Sequence, residues 1–388
     1  MPCGKRIAGG TTFPTEALRL TFCSARRKMR ARMSQPSVLR PTSELYELEV
    51  LGLGPADRSR LVLPACPVCN ASEAYRRLEM KERSQWVAVC SRCGLGRLHP
   101  LPDAESLRGY YPDSYYGEPG VKFQALVEGL VRSVGARHAA FLTAGIPEGA
   151  RVLDVGCGRG VLLAAIADRG FEAHGVEISE QAAAGVEAWA SIRIAPTVDA
   201  AGYPDAYFDQ VIIWHVLEHL PDPRGTLATV HRILKPGGRL VVAVPNFSSL
   251  QARLTGAAWF HLDLPRHLYH FPLAGLRRLL EGCGFEVGAA HHFSLRQNPF
   301  GWIQSLMNKL PFLPRNGLYV LLHRQGSRTE KPYTAQVRAC LWLCLVLGIP
   351  LGVFLSLAET AMRSGATVHV VSHRPLEGDS SQRDESLR

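Results

Sequence analysis

The segment Val152–Gly160, which reads Val-Leu-Asp-Val-Gly-Cys-Gly-Arg-Gly, constrains the fold more than any other part of the chain. An apolar strand runs into three glycines, Gly156, Gly158 and Gly160, and a helical run over Val161–Arg169 follows at once. Glycine lets the backbone pass close beneath a ligand, and the N-terminus of a helix offers unpaired N–H groups. In a parallel α/β sheet, such a turn places a ligand site at the carboxyl edge. The segment therefore predicts a doubly wound α/β sheet.

Two carboxylates accompany this turn. Asp154 lies two residues before the first glycine, and Glu177 ends the next predicted strand, His174–Glu177. The Gly-x-Gly-x-Gly spacing differs from the Gly-x-Gly-x-x-Gly of dinucleotide sites, whose pyrophosphate a carboxylate at the strand end would repel. Asp154 instead suits a ligand that carries an ammonium group, and Glu177 can accept hydrogen bonds from both hydroxyls of a ribose.

Further segments complete a family pattern. Phe208–Ile213 reads as a fourth strand, Trp214–His219 follows it, and Leu234–Gly238 is a turn into a fifth strand, Arg239–Val244. With these motifs the chain resembles a class I S-adenosylmethionine-dependent methyltransferase over residues 148–294. The resemblance implies a Rossmann-like seven-stranded sheet with an antiparallel seventh strand, and S-adenosyl-L-methionine as cofactor. It implies a cofactor site formed by Asp154, Gly156, Cys157, Gly158, Gly160, Glu177, Ile178, Asp199, Trp214 and His215.

The positive charge of the chain is confined to one end. The net charge is +10, but residues 1–40 contain nine Lys and Arg and one acid, Glu16, which leaves +2 for the other 348 residues. The basicity thus belongs to a tail and argues against a nucleic-acid-binding face. We expect residues 1–60 to be a basic, disordered extension. A transit-like segment, or translation that starts at Met29 or Met33, are the alternatives.

Four of the ten cysteines form two closely spaced pairs, Cys66-x-x-Cys69 and Cys90-x-x-Cys93. Two such pairs are typical of a structural zinc ribbon with four thiolate ligands, which we place at residues 61–100. A redox dithiol is the alternative, but it normally needs a single pair. The chain has no secretory signal, so we expect it in the reducing cytoplasm.

The remaining segments complete the predicted domain order. Residues 101–147 read as an aromatic and helical linker that contains the tyrosine-rich segment Tyr110–Tyr116, and the methyltransferase core follows at 148–294. An apolar helical insertion is expected at 295–364, between the sixth and seventh strands. The final core strand, around Ala366–Val371, occupies 365–375, and 376–388 is expected to be a disordered tail.

The insertion contains an uncharged run of 20 residues, Ala339–Ala358. A helix of this length would cover about 30 Å, enough for a bilayer core. Pro350, flanked by Gly348 and Gly352, is expected to break it into two short helices. A single crossing would also bring the seventh strand out on the wrong side of the membrane. The sequence therefore predicts either peripheral attachment to the inner face of the membrane or burial against the core or a dimer partner.

Two groups of histidines follow the strands whose carboxyl ends border the acceptor site. His215 and His219 come after the fourth strand, on one helical face with Glu218. A metal site is the alternative, because RNA-end methyltransferases of this class carry a Glu-x-x-Glu-His set, although this chain has histidine at the first position. After the fifth strand come His261, His267 and His270, among which we expect a general base near neutral pH. A polar lid is the alternative for that group.

We therefore expect methyl transfer to a hydroxyl of a lipidic, quinone-like or lipid-linked glycan molecule. An RNA methyltransferase and a catalytically silent cofactor-binding scaffold are the alternatives. The expected partners are the small-molecule or lipid-linked acceptor and a membrane surface, whereas nucleic acid is not expected. The sequence leaves the oligomeric state open.

Overall fold

The computed structural model describes residues 64–72, 75–78, 86–111, 135–186, 188–295, 297–322 and 333–376. The predicted basic extension, the tyrosine-rich segment beyond Tyr111 and residues 377–388 lie outside the described residues. The described part begins with β1 (Tyr75–Leu78), β2 (Trp86–Cys90), β3 (Gly96–His99) and α1 (Ala104–Gly109). Residues 135–142 then form a helix that leads into the core.

The core alternates strands and helices, as the sequence predicts. In chain order its elements are β4 (Arg151–Val155), α2 (Val161–Ala167), β5 (Glu172–Glu177), α3 (Glu180–Ala183), β6 (Ser191–Ile194), β7 (Phe208–Trp214), α4 (Pro223–Ile233), β8 (Leu234–Pro245), α5 (Leu250–Thr255), β9 (Tyr269–His270), α6 (Leu273–Glu281) and β10 (Glu286–His291). The insertion contributes α7 (Asn298–Met307), α8 (Gly317–Leu322) and α9 (Ala335–Ala361), and β11 (Thr367–His373) closes the fold.

The main sheet has seven strands in the order β10-β11-β8-β7-β4-β5-β6. Neighbouring strands from β8 to β6 are parallel, and β11 runs antiparallel to both β8 and β10. Leu153 and Ile212 are fully buried in the centre, as expected for strands that helices cover on both faces. This topology confirms the predicted methyltransferase sheet, with the apolar insertion between the sixth and seventh strands.

The cysteine-rich segment forms a second sheet, in the order β1-β2-β3-β9. Its last strand, β9, comes from the core, and Gly96 of β3 pairs with His270. A Cβ atom on Gly96 would lie 3.0 Å from the His270 Cβ atom, so the two strands approach closely only because residue 96 is a glycine. The Arg224 guanidinium also donates two hydrogen bonds to the Pro67 carbonyl, at 2.9 and 3.1 Å. The ribbon is therefore built into the surface of the core.

The apolar run forms one helix, so the predicted break at Pro350 is wrong. Gly348 and Gly352 lie one turn apart and face α7, where a Cβ atom on either would come within 3.2 Å of the Ile303 side chain. This close packing holds both halves of α9 in line. The proline ring lies on the exposed side, where the loss of one helical hydrogen bond disturbs no packing.

The opposite face of α9 is apolar and exposed. Val346, Leu347 and Phe354 are 63%, 67% and 66% exposed. Among the described residues, α9 is the one helix that is long and apolar enough to cross a membrane, with a mean hydropathy of 2.4 and 17% of its apolar window buried. Burial against the core, one of the two predicted alternatives, accounts only for the face that contacts α7 and α8.

Candidate active site

The three glycines of the turn have different tasks. All three have positive φ angles: 71° at Gly156, 52° at Gly158 and 66° at Gly160. A Cβ atom on Gly156 would lie 2.6 Å from Val216, and one on Gly160 would lie 2.7 Å from Val186, whereas one on Gly158 would meet nothing within 4 Å. The outer glycines therefore allow close packing, and Gly158 faces open space where a ligand can approach.

Glu177 closes this turn from the neighbouring strand. One carboxylate oxygen accepts a hydrogen bond from the Gly158 N–H at 2.9 Å, and the other accepts from the N–H groups of Ile178 and Ser179 at 2.9 and 3.1 Å. Asp154 is buried nearby. Burial and the charge of Glu177 raise the pKa of Asp154 to about 8.

Neither carboxylate forms an ion pair with a basic side chain among the described residues. A ligand that brings an ammonium group and ribose hydroxyls would therefore supply what these two acids lack. The open space at Gly158 and the two buried acids together fit S-adenosylmethionine.

The other predicted cofactor residues lie in different parts of the sheet. Cys157 is buried against Gly175, and the Trp214 ring contacts His369 with 4.4 Å between ring centroids and 39° between the ring planes. Asp199 instead pairs with Arg232 near the end of α4, where the chain has returned to the amino edge of the sheet. The glycine turn lies at the opposite edge, so this ion pair does not support the predicted contact between Asp199 and the cofactor, which stays a prediction.

His215 and Glu218 form a pair directly after β7. His215 has a φ of +55°, an uncommon backbone conformation for a residue other than glycine. Its Nδ1 lies 3.2 Å from Oε1 of Glu218, which is 1% exposed. The other oxygen of Glu218 has no hydrogen-bond partner in the described part of the chain. Burial raises the pKa of Glu218 to about 7.

The second group of histidines meets the first at this point. The rings of His219 and His267 lie 4.6 Å apart, and Nδ1 of His219 is 2.8 Å from the Tyr111 hydroxyl. The ligand atoms of Glu218, His219 and His267 all lie within 4.8 Å of one another, so this group could hold a metal ion. Tyr111 belongs to the tyrosine-rich segment Tyr110–Tyr116, for which the sequence offers two interpretations, the lining of a substrate entrance and packing of the ribbon against the core.

Burial changes the expected role of the second group. It lowers the pKa of His261 to about 3 and that of His270 to about 4, and it lowers the pKa of His267 well below its usual value. Such groups are weak bases, so the lowered pKa values favour the alternative over a general base near neutral pH, which stays a prediction for these three. His267 and His270 instead donate to the carbonyls of His261 and Leu262, as in the alternative of a polar network.

The four ribbon cysteines come together as predicted. The sulfurs of Cys66 and Cys93 lie 3.5 Å apart, those of Cys69 and Cys90 lie 3.6 Å apart, and all four lie within 4.8 Å of one another. Zinc–sulfur bonds of about 2.3 Å in a tetrahedron require sulfurs about 3.8 Å apart. The donor set therefore fits a closed, structural zinc site.

Comparison with known proteins identifies relatives of the core. A family model described as a methyltransferase domain matches residues 127–290. A ubiquinone biosynthesis O-methyltransferase of Xanthomonas oryzae pv. oryzae is 32% identical over 132 residues, which are 32% of this chain and 55% of that protein. The protein of the same name from Aromatoleum aromaticum is 30% identical over 174 residues, which are 41% of this chain and 73% of that protein.

The chain thus spans about half the length of the Xanthomonas relative and nearly three quarters of the Aromatoleum one. Among solved structures, a SAM-dependent methyltransferase from Archaeoglobus fulgidus is 22% identical, with a TM-score of 0.39 over 64% of this chain and 98% of that chain.

Proposed function

Because this chain belongs to the class I S-adenosylmethionine-dependent methyltransferases, we propose that it transfers a methyl group to a hydroxyl of a quinone-like or other lipidic small molecule. One observation carries the proposal. The glycine turn ends β4, and the His215–Glu218 pair ends β7, which is the next strand in the sheet. Neighbouring strands are about 4.8 Å apart, so the cofactor turn and a proton acceptor share one edge.

The residues at this edge suit a direct displacement. S-adenosylmethionine, when bound, supplies an electrophilic methyl group on a sulfonium. His215 would take the proton of the acceptor hydroxyl at Nε2, because Nδ1 is engaged by Glu218. The carboxylate of Glu218 would hold the ring in place and stabilise the imidazolium that forms. The proton thus stays on His215 until solvent removes it, and the acceptor oxygen gains the methyl group.

The acceptor class is argued from two sources. The relatives are named as O-methyltransferases of ubiquinone biosynthesis, which favours oxygen as the acceptor atom. The exposed apolar face of α9 favours an acceptor that is found in or near a membrane. The alternatives of an RNA methyltransferase and a silent scaffold gain no support from these relatives.

The same face supports a cytoplasmic protein that is attached to the inner surface of the membrane. Strands β10 and β11, which flank the insertion, are paired in one sheet, so the chain must leave and return on the same side. We therefore propose that α9 lies in the interface rather than across the bilayer. We also propose that Cys66, Cys69, Cys90 and Cys93 hold one structural zinc ion.

Turnover of a simple catechol tests the proposed reaction. Purified full-length protein with S-adenosylmethionine and an alkylcatechol should release S-adenosylhomocysteine. His215→Gln should slow release about 100-fold or more, as expected for loss of a general base. His231→Gln is the matched control, because His231 lies near the end of α4, away from the site. Wild-type protein that binds the cofactor but methylates no catechol would contradict the proposal.

A further inference from the structure

A groove with a volume of about 890 Å³ opens beside β10, at the end of the sheet opposite β6. It is lined by residues from the helix 135–142, from α6, from β10 and the segment after it, and from the end of α9 and β11. Neither the glycine turn nor the His215–Glu218 pair contributes to its lining. The proposed reaction therefore leaves this groove without a role.

The charge of the groove has one sign. Arg137, Arg277 and Arg363 line it, and none of its described lining residues is an aspartate or a glutamate. No ion pair in the described part of the chain joins any of these arginines to a carboxylate. Three guanidinium groups around one groove without a countercharge favour an anionic ligand.

Two buried imidazoles on the wall of the groove each have one ring nitrogen without a hydrogen-bond partner among the described residues. His369 is 3% exposed and His292 is 8% exposed. Nε2 of His369 and Nδ1 of His292 have no hydrogen-bond partner among the described residues. A buried polar atom without a partner costs stability, and a ligand that brings an acidic or hydroxyl group would satisfy it.

A row of paired strand residues joins the groove to the strand that precedes His215. Trp214, Ala243, His369 and His291 are paired across β7, β8, β11 and β10 and so form one row on the sheet. The first of them precedes His215, and the last two line the groove. At about 4.8 Å per strand, the row from Trp214, the residue before the proposed base, to His291 is roughly 14 Å long.

The groove also adjoins the apolar helix. Thr360, in the last turn of α9, and Arg363, which follows the helix, both line it. Between them Met362 is 63% exposed and continues the apolar face. A molecule with an anionic group in the groove could therefore place an apolar chain along α9.

We propose that this groove binds an anionic group of the methyl acceptor, so that the acceptor is an acidic amphiphile and not a neutral lipid. The inference rests on the proposed function, since it identifies the substrate class of the same site. Arg277 and Arg363 recognise the charge, His369 and His292 provide hydrogen bonds, and the acceptor hydroxyl lies toward His215.

Binding can be measured apart from turnover. The probe is 8-phenyloctanoate, which carries one carboxylate and no hydroxyl to methylate, and its methyl ester is the neutral counterpart. Titration calorimetry with the protein saturated with S-adenosylhomocysteine should show the acid binding at least about tenfold more tightly than the ester. The phosphate-ended analogue of the same length shows which kind of acid fits better.

Arg277→Gln with Arg363→Gln should abolish the preference for the acid. Arg253→Gln with Arg278→Gln removes the same charge outside the groove lining and should retain the preference. Thermal melts verify that both variants are folded. Equal binding of acid and ester by the wild type, or a preference that persists in the groove variant, would overturn the proposal.

A turnover arm separates this proposal from the one on which it rests. Its substrates are the catechol version of the probe and that compound's methyl ester. Preferential turnover of the acid, lost in the groove variant, supports both proposals. Equal turnover of both refutes the groove and retains the methyltransferase reaction. Absence of turnover with preferential binding of the acid refutes the reaction on catechols and retains the anion site.

Discussion

Replacing Gly158 with alanine tests whether the middle of the glycine turn is the face that meets the cofactor. Its φ is +52°, and an added Cβ atom would meet nothing within 4 Å. The substitution thus causes no steric clash within the protein, and its structural cost is the strain of a left-handed residue, about 1–2 kcal/mol. If the open space belongs to the cofactor, however, the methyl group occupies it.

Gly149→Ala is the matched control. Its φ is +73°, and a Cβ atom there would also meet nothing within 4 Å, but it lies before β4 and away from the turn. Both variants should lose similar stability in thermal melts. Only Gly158→Ala should bind S-adenosylmethionine at least about tenfold more weakly in calorimetry, a difference of about 1.4 kcal/mol. Equal affinities in the two variants would refute the assignment of this face.

Three further predictions address the buried acid, the ribbon and the helix. Burial raises the pKa of Glu218 from 4.5 to about 7, so its contribution to stability is present below pH 4.5 and is lost as the pH rises through 7. Between pH 4.5 and 8 the free energy of unfolding in urea should therefore fall by up to roughly 3 kcal/mol less in Glu218→Gln than in the wild type. The same pH dependence in both proteins would contradict this prediction. Cys90→Ser should release the one zinc ion per chain that elemental analysis is expected to find, whereas cofactor binding should survive; a metal-free, fully folded wild type would oppose the zinc site. Leu347→Lys with Phe354→Lys should move the protein from the membrane to the soluble fraction of cells, while Leu376→Lys, at an equally exposed position outside the helix, should not. Wild-type protein that is soluble and monomeric without detergent would refute the membrane proposal.

The sheet could be predicted from the sequence because its signals are local. The apolar strand, the glycines and Glu177 lie within 26 residues, and each has its role in a single strand–turn–helix–strand unit. The seventh strand could also be placed, because Ala366–Val371 follows the insertion as an alternating apolar run next to the end of the chain.

Features that depend on tertiary contacts could not be predicted. The rule that proline breaks a helix is local, and at Pro350 it is overridden by the packing of Gly348 and Gly352 on Ile303. His219 and His267 lie 48 positions apart in the sequence, and only the folded chain brings them together. Burial lowers the pKa of His267, and no spacing in the sequence reveals that burial. The ion pair of Asp199 with Arg232 could not be predicted either, because the sequence does not show where a loop turns away from the carboxyl edge.

Strand β9 connects the ribbon sheet to the histidine segment beside Glu218. The segment that begins with His261 and ends with His270 runs from the polar network beside Glu218 into the edge of the ribbon sheet. If the ribbon holds a zinc ion as proposed, the metal would stabilise one wall of the proposed acceptor site. Loss of the ribbon should therefore change the selectivity for acceptors more than the affinity for the cofactor. The metal centre would in this way tune substrate selectivity at a distance, without touching either reactant.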